Sequence, residues 1–213
     1  MRPLMICLHA SELNIEIMER SLHEMPFEVR HVVDTHLLHI IREQQSLAEQ
    51  KNYIFTKMME LIEQEPVLIL VTCTNYIVLL EQMELVTSIP ILKIDELLFE
   101  QLKSSHLPLK ILFTNKQTIE GTMTRLKKYI SPERESEVVF IPEVFDWYLA
   151  GEKLAHDQKV LNTLLELDTY ENTVVVAQLS MANIAEIYSK LSGDVVLSPV
   201  TAIKTYMNDL IFK

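Results

Sequence analysis

The chain has 213 residues, 48% hydrophobic and 23% charged, enough to bury a substantial core as one large domain or two small ones. Its net charge of -11 repels polyphosphates and anionic membrane surfaces, so the sequence predicts no nucleic-acid and no membrane partner. The nearest thing to a basic patch, Arg125-Leu126-Lys127-Lys128, reads at helical spacing as a solvated face.

In chain order, short apolar runs rich in β-formers fall at 4–9, 28–34, 67–72, 89–94, 109–114, 138–141, 173–177 and 195–197. Between them lie stretches of helical period, among them "SELNIEIMERSL", "YIFTKMMELIEQ", "DELLFEQLKSS", "KQTIEGTMTRLKKYI" and "SMANIAEIYSKL". Runs apolar on both faces and joined by helices predict an α/β fold with parallel sheets covered on both sides. Pro66 precedes one run, Pro90 sits in the next, and Gly193-Asp194 follows the helix ending near Leu191. The opening "MRPLMICLHA" reaches charge at Glu12, and no later apolar run approaches membrane length. Neither a secretory leader nor a spanning segment is therefore expected, and the predicted location is cytoplasmic. In that reducing compartment Cys7 and Cys73 are expected to remain unpaired.

The order of elements occurs twice. A shift of roughly half the chain lays "PLMICLH" on "PLKILFTN", "PVLILVTCTN" on "NTVVVAQLSMAN", and "IPILKIDELL" on "DVVLSPVTAI". Ligands of open parallel sheets bind beyond the carboxyl ends of the strands, where helix N-termini offer free N–H groups. The residues that match there are His9 with Ser11, Cys73-Thr74-Asn75, Thr114-Asn115 and Gln178-Leu179-Ser180.

With "HVVDTHLL", "TCTN", "IPILKIDELL", "LFTNKQTIEGT", "AGEKLAHDQKVL" and "VVVAQLSMANI" in this order, nearly the whole chain resembles the aspartate/glutamate/hydantoin racemase superfamily. The resemblance implies two pseudosymmetric Rossmann-like lobes, 1–92 completed by a closing helix at 199–213, and 93–198, with the active-site cleft between them. It also implies a homodimer, no cofactor, a small carboxylate ligand and one thiol from each lobe. Taking a proton from the carbon beside a carboxylate needs a base, an acid, and donors for the developing negative charge. Cys73 stands where a helix start lowers a thiol's pKa, with Thr74 or Asn75 as the expected cap. In the second half, however, the shift sets Leu179 against Cys73, and leucine carries no proton.

The expected activity is therefore racemase-, isomerase- or decarboxylase-like chemistry with a single thiol. Cys73 and His9 are the catalytic candidates, and Ser11, Thr74, Asn75, Thr114, Asn115, Thr118, Gln178 and Ser180 the carboxylate-binding ones. The alternative is a carboxylate-binding or regulatory protein of the same fold that has lost catalysis. Simpler readings stand beside these. Cys7 lies inside a strand and fits core packing, and the pair Cys7/His9 is too small for a metal site. His31, His36 and His39 read as surface histidines, and His156-Asp157 as structural or interfacial. No metal is expected. The glycines, Gly121, Gly151 and Gly193, form no nucleotide-binding loop, and no G-x-S-x-G elbow occurs.

Overall fold

A computed structural model describes residues 2–43 and 45–211, apart from the side chains at 42 and 211. Residues 1 and 44 of the expected first lobe and residues 212–213 of the expected closing helix lie outside the described residues. The chain divides into two units at Ile94/Asp95.

The first unit contains β1 (Leu4–His9), α1 (Leu13–Leu22), β2 (Glu28–Val33), α2 (His36–Arg42), α3 (Leu47–Ile62), β3 (Leu68–Val71), α4 (Thr74–Leu80) and β4 (Ile91–Lys93). Its sheet runs β2-β1-β3-β4, with every pairing parallel. Up to His9, which ends β1, the central strands are apolar because both faces are covered: Met5 to Leu8 and Ile69 to Val71 are each 0% exposed. Buried on the helices are Met18 of α1, Ile54 and Met58 of α3, and Tyr76 and Ile77 of α4. Each aliphatic side chain so buried contributes about 1.5–3 kcal/mol. The 16-residue α3 starts at a capping box, in which Ser46 accepts from the Glu49 amide and Glu49 reaches back to the Ser46 amide.

The second unit contains α5 (Ile94–Leu102), which opens on the boundary, then β5 (Leu109–Phe113), a 3-10 turn (Lys116–Thr118) and α6 (Ile119–Leu126). It continues with β6 (Ser136–Phe140), α7 (Val144–Leu149), α8 (Lys153–Leu165), β7 (Thr173–Val176), α9 (Leu179–Ser192), β8 (Val196–Leu197) and α10 (Pro199–Ile211). Its sheet order, β6-β5-β7-β8, repeats that of the first unit element for element, again all parallel. The period of two sorts its strand residues cleanly. Leu112, Val174 and Val176 join Val144, Val160 and Ile184 in one core. Ile111, Phe113 and Val175 join Leu98, Phe99 and Ala202 in the other. Ala202 brings α10 into this unit, where the sequence reading has that helix completing the first lobe. Gly193 ends α9 with φ +83, a conformation that favours glycine.

Two expectations need correcting. Pro90 lies just before β4 instead of within it, and its carbonyl accepts from the Ile69 amide at the mouth of the ladder. Arg125 is not on a solvated face: it is 3% exposed and Leu126 1%, while Lys127 and Lys128 face solvent. Thr122, Arg125 and Leu126 form the buried side of α6, and the Arg125 guanidinium is neutralised there by Asp95 and Glu96 of α5. Among the described residues no helix is long and apolar enough to cross a membrane.

Candidate functional site

In the first unit the chain leaves β3 at Val71, and α4 begins at Thr74. Cys73 therefore holds the N-cap position itself, with extended backbone (φ -104, ψ 120), and Thr74 and Asn75 fall in the first helical turn instead of capping it. Burial pushes the Cys73 thiol up, the backbone amides of Tyr76 and Asn75 pull it down, and the Asp34 carboxylate raises it; the net direction is upward. Cys73 is half-buried and Cys7 fully buried, and both are free thiols.

Asp34 follows β2 and gathers a polar cluster that sequence spacing did not reveal. Its Oδ2 accepts from Tyr53 at 2.6 Å and from Tyr76, and its Oδ1 accepts from the His36 amide at 2.9 Å. Burial acts to raise the Asp34 pKa, but these bonds and the charge of Lys57 outweigh it and hold the group below the usual carboxylate value. Burial, and after it the bond to Asp34 and its charge, push both tyrosine hydroxyls up. A carboxyl depressed in the fold stabilises above its unfolded pKa, and that stability is lost as pH falls through the folded value. Melts between pH 7 and pH 3 are expected to show a lower midpoint for Asp34→Asn at neutral pH and a shallower decline on the acid side. Tyr76→Phe removes one bond to the charged acceptor and is expected to cost about 1.5–3 kcal/mol in denaturant titration.

His9, at the end of β1, is 0% exposed, and both ring nitrogens are engaged. The Thr72 hydroxyl donates to the Leu8 carbonyl at 3.0 Å, so its oxygen accepts from His9 Nδ1 at 2.8 Å. That fixes the proton on Nδ1 and leaves Nε2 to accept from His31 Nδ1 at 2.9 Å. Burial and the neighbouring His31 push His9 down to about 4, so the ring is neutral at physiological pH. Burial also lowers His31, against the opposing charge of Glu19. His31, read from sequence as a surface residue, is thus a partner of His9. His39 does lie on the surface, 3.0 Å from Glu43. The Ser11 hydroxyl accepts from the Leu13 amide at the start of α1.

In the second unit the two-residue link from β7 to α9, Ala177-Gln178, matches the link Thr72-Cys73. Gln178 is the N-cap of α9 and Leu179 its first helical residue, so by helix onset the counterpart of Cys73 is Gln178 and not Leu179. Neither side chain can act as an acid or a base at neutral pH. The Gln178 carboxamide oxygen accepts from the Thr114 amide at 2.7 Å, the Thr114 hydroxyl at 2.9 Å and the Asn115 amide at 3.1 Å. Its nitrogen faces Thr118 Oγ1 at 3.4 Å. Asn115 Oδ1 receives the Gln117 amide, and Thr118 donates to the Asn115 carbonyl. Ser180 is 8% exposed, and its Oγ has no hydrogen-bond partner among the described residues. Four expected residues thus converge on one oxygen-binding nest, with Ser180 on the first turn of α9. His156, 0% exposed, is bonded to Asp157 at 2.8 Å.

No family model and no curated protein matches the sequence. Solved structures do. Aspartate racemase from Picrophilus torridus aligns with a TM-score of 0.70 at 11% identity, covering 96% of this chain and 92% of that one. Allantoin racemase from Klebsiella pneumoniae aligns at 0.71 and 14%, covering 98% and 87%. Glutamate racemase from Francisella tularensis, solved in complex with D-glutamate, aligns at 0.68 and 13%, covering 99% and 81%. With two parallel four-stranded sheets of the same strand order, the chain has the two-lobed α/β fold of the aspartate, glutamate and allantoin racemases.

Proposed function

We propose that the chain is a cofactor-independent, racemase-like enzyme that moves the proton beside the carboxylate of a small amino or dicarboxylic acid, with Cys73 as its one thiol acid/base. The observation that carries this reading is the place of Cys73, at the N-cap of α4 between a buried apolar strand and the start of a helix, in a fold shared with racemases. The thiolate takes the α-proton, the released electron pair passes into the carboxylate, and the thiol returns a proton to the same face. Each unit has its own candidate donors for a carboxylate, Thr74, Asn75 and Ser11 in the first, and Thr114, Asn115, Thr118 and Ser180 in the second. Gln178 occupies two of those residues with an oxygen of its own, taking the Thr114 amide and hydroxyl and the Asn115 amide as a carboxylate oxygen would. Burial disfavours the thiolate, and a substrate ammonium beside it restores that form, which favours amino acids as substrates. His9 serves as a positioning residue: through Thr72 it fixes the residue before Cys73. The reading includes a cytoplasmic homodimer, checked by sedimentation.

A second reading, binding without turnover, is favoured by Gln178 standing where a second thiol is needed. Deuterium incorporation at the α-carbon of a panel of amino and dicarboxylic acids separates the two. Exchange with retained configuration supports the enzyme. Stabilisation by a panel member without exchange supports the binder, and neither effect with any member overturns both.

The nest gives a further expectation. Gln178→Ala unpairs its donors and is expected to cost about 1–3 kcal/mol. Acetate is expected to raise the melting temperature of this variant more than that of the unaltered chain, as thermal melts in an acetate series would show.

A further inference from the structure

We propose that Cys7, His9 and His31 form a binding site for one soft d10 metal ion, with Cu⁺ preferred over Zn²⁺. Cys7 and His9 are two apart on β1 and so share a face, and His31 is the register partner of Cys7 on the parallel neighbour β2. One ligand atom from each, a thiol sulfur and two imidazole nitrogens, lies within 4.8 Å of the others. The outer contacts are those a metal-binding imidazole needs. His9 gives its Nδ1 proton to Thr72, which is itself fixed by the Leu8 carbonyl, so the Nε2 lone pair points at the cluster. Binding requires the His9–His31 hydrogen bond to open by a few tenths of an ångström from 2.9 Å. His31, half-buried on the edge strand, shifts its proton from Nδ1 to Nε2, and the Cys7 proton leaves to solvent as the sulfur–metal bond forms.

The choice of ion follows from charge and ligand number. Cys7 and His9 are 0% exposed, and no fourth His, Cys, Asp or Glu among the described residues joins the group. Cu⁺ with one thiolate and two neutral imidazoles is uncharged and accepts three ligands. Zn²⁺ leaves a net positive charge in the core and seeks a fourth ligand. The proposal is independent of the role of Cys73.

The test is anaerobic titration of the untagged full chain with Cu⁺ against a chromophoric Cu⁺ chelator, and with Zn²⁺ against a zinc chelator. One Cu⁺ per chain is expected in the unaltered protein and in Cys73→Ala, with affinity roughly 100-fold weaker or worse in Cys7→Ser and His31→Gln. Cu⁺ is also expected to raise the melting temperature of the first two only. His31→Gln lies on a partly exposed edge and supplies the answer should Cys7→Ser fail to fold. Absence of Cu⁺ uptake, or uptake undiminished in His31→Gln, overturns the site; Zn²⁺ held in preference to Cu⁺ overturns the choice of ion.

Discussion

Cys73→Ala is expected to lower the rate of α-carbon exchange with solvent by about 10²–10⁴-fold, the usual contribution of a positioned acid/base group. The proposed carboxylate donors stay in place, so KM is expected to change little and kcat to carry the loss. Cys73→Ser keeps the shape but offers a hydroxyl whose proton is far harder to remove, and it is expected to behave like the alanine variant. Because Cys73 is half-buried and small, both variants are expected to melt close to the unaltered chain, which separates lost chemistry from lost fold. The sign of the pH dependence follows from burial, which raises the thiol above its ordinary value of 9.0. In the free protein, alkylation of Cys73 is expected to be slow at neutral pH and to accelerate only above the ordinary thiol range. Asp34→Asn removes a negative charge that raises the thiol, so its alkylation profile is expected to move to lower pH, as iodoacetamide rates across a pH series would show. Exchange that survives in Cys73→Ala would remove the thiol from the chemistry.

The strands were legible because the sequence states burial directly. Each of the eight apolar runs overlaps a strand, with β6 starting two residues ahead of its run, and β1 spans 4–9 as expected, since a strand covered on both faces has no polar side to interrupt it. The doubled order of elements was legible for the same reason, and it reappears as two sheets of identical strand order. What the sequence did not carry is register. His9 and His31 are 22 residues apart, and Thr72 is 63 from His9. Only the pairing of β1 with both neighbours brings them together. Asp34 after β2, Tyr53 of α3 and Tyr76 of α4 likewise meet, and no spacing announces them. The mismatch at Leu179 is of a different kind. A self-comparison aligns residues by apolar content, whereas the onset of α9 sets Gln178 in the place of Cys73. Arg125 was misjudged because a cation in a basic run looks solvated until the opposing Asp95 is seen.

That buried pair is where a single substitution is expected to damage the fold most. Arg125 and Asp95 are 3% and 4% exposed, and the guanidinium also meets Glu96 at 3.2 Å and lies 5.7 Å from the Phe99 ring centre. Arg125→Met keeps much of the apolar stem but strands the Asp95 carboxylate in the core, and it is expected to cost about 3–5 kcal/mol. In a chain of this length that corresponds to a melting point lower by roughly 10 °C. The penalty comes mainly from the uncompensated charge and not from the lost attraction, because desolvation offsets most of what the intact pair gains. Removing both charges is therefore expected to do less harm than removing one. Asp95→Leu combined with Arg125→Met should recover much of the lost stability, although Glu96, less buried, is left without this bond. Denaturant titration of the two single variants and the double variant measures the coupling directly. If the double variant loses the sum of the single losses, the pair is not coupled and the core around Phe99 and Leu126 is stabilised by packing alone.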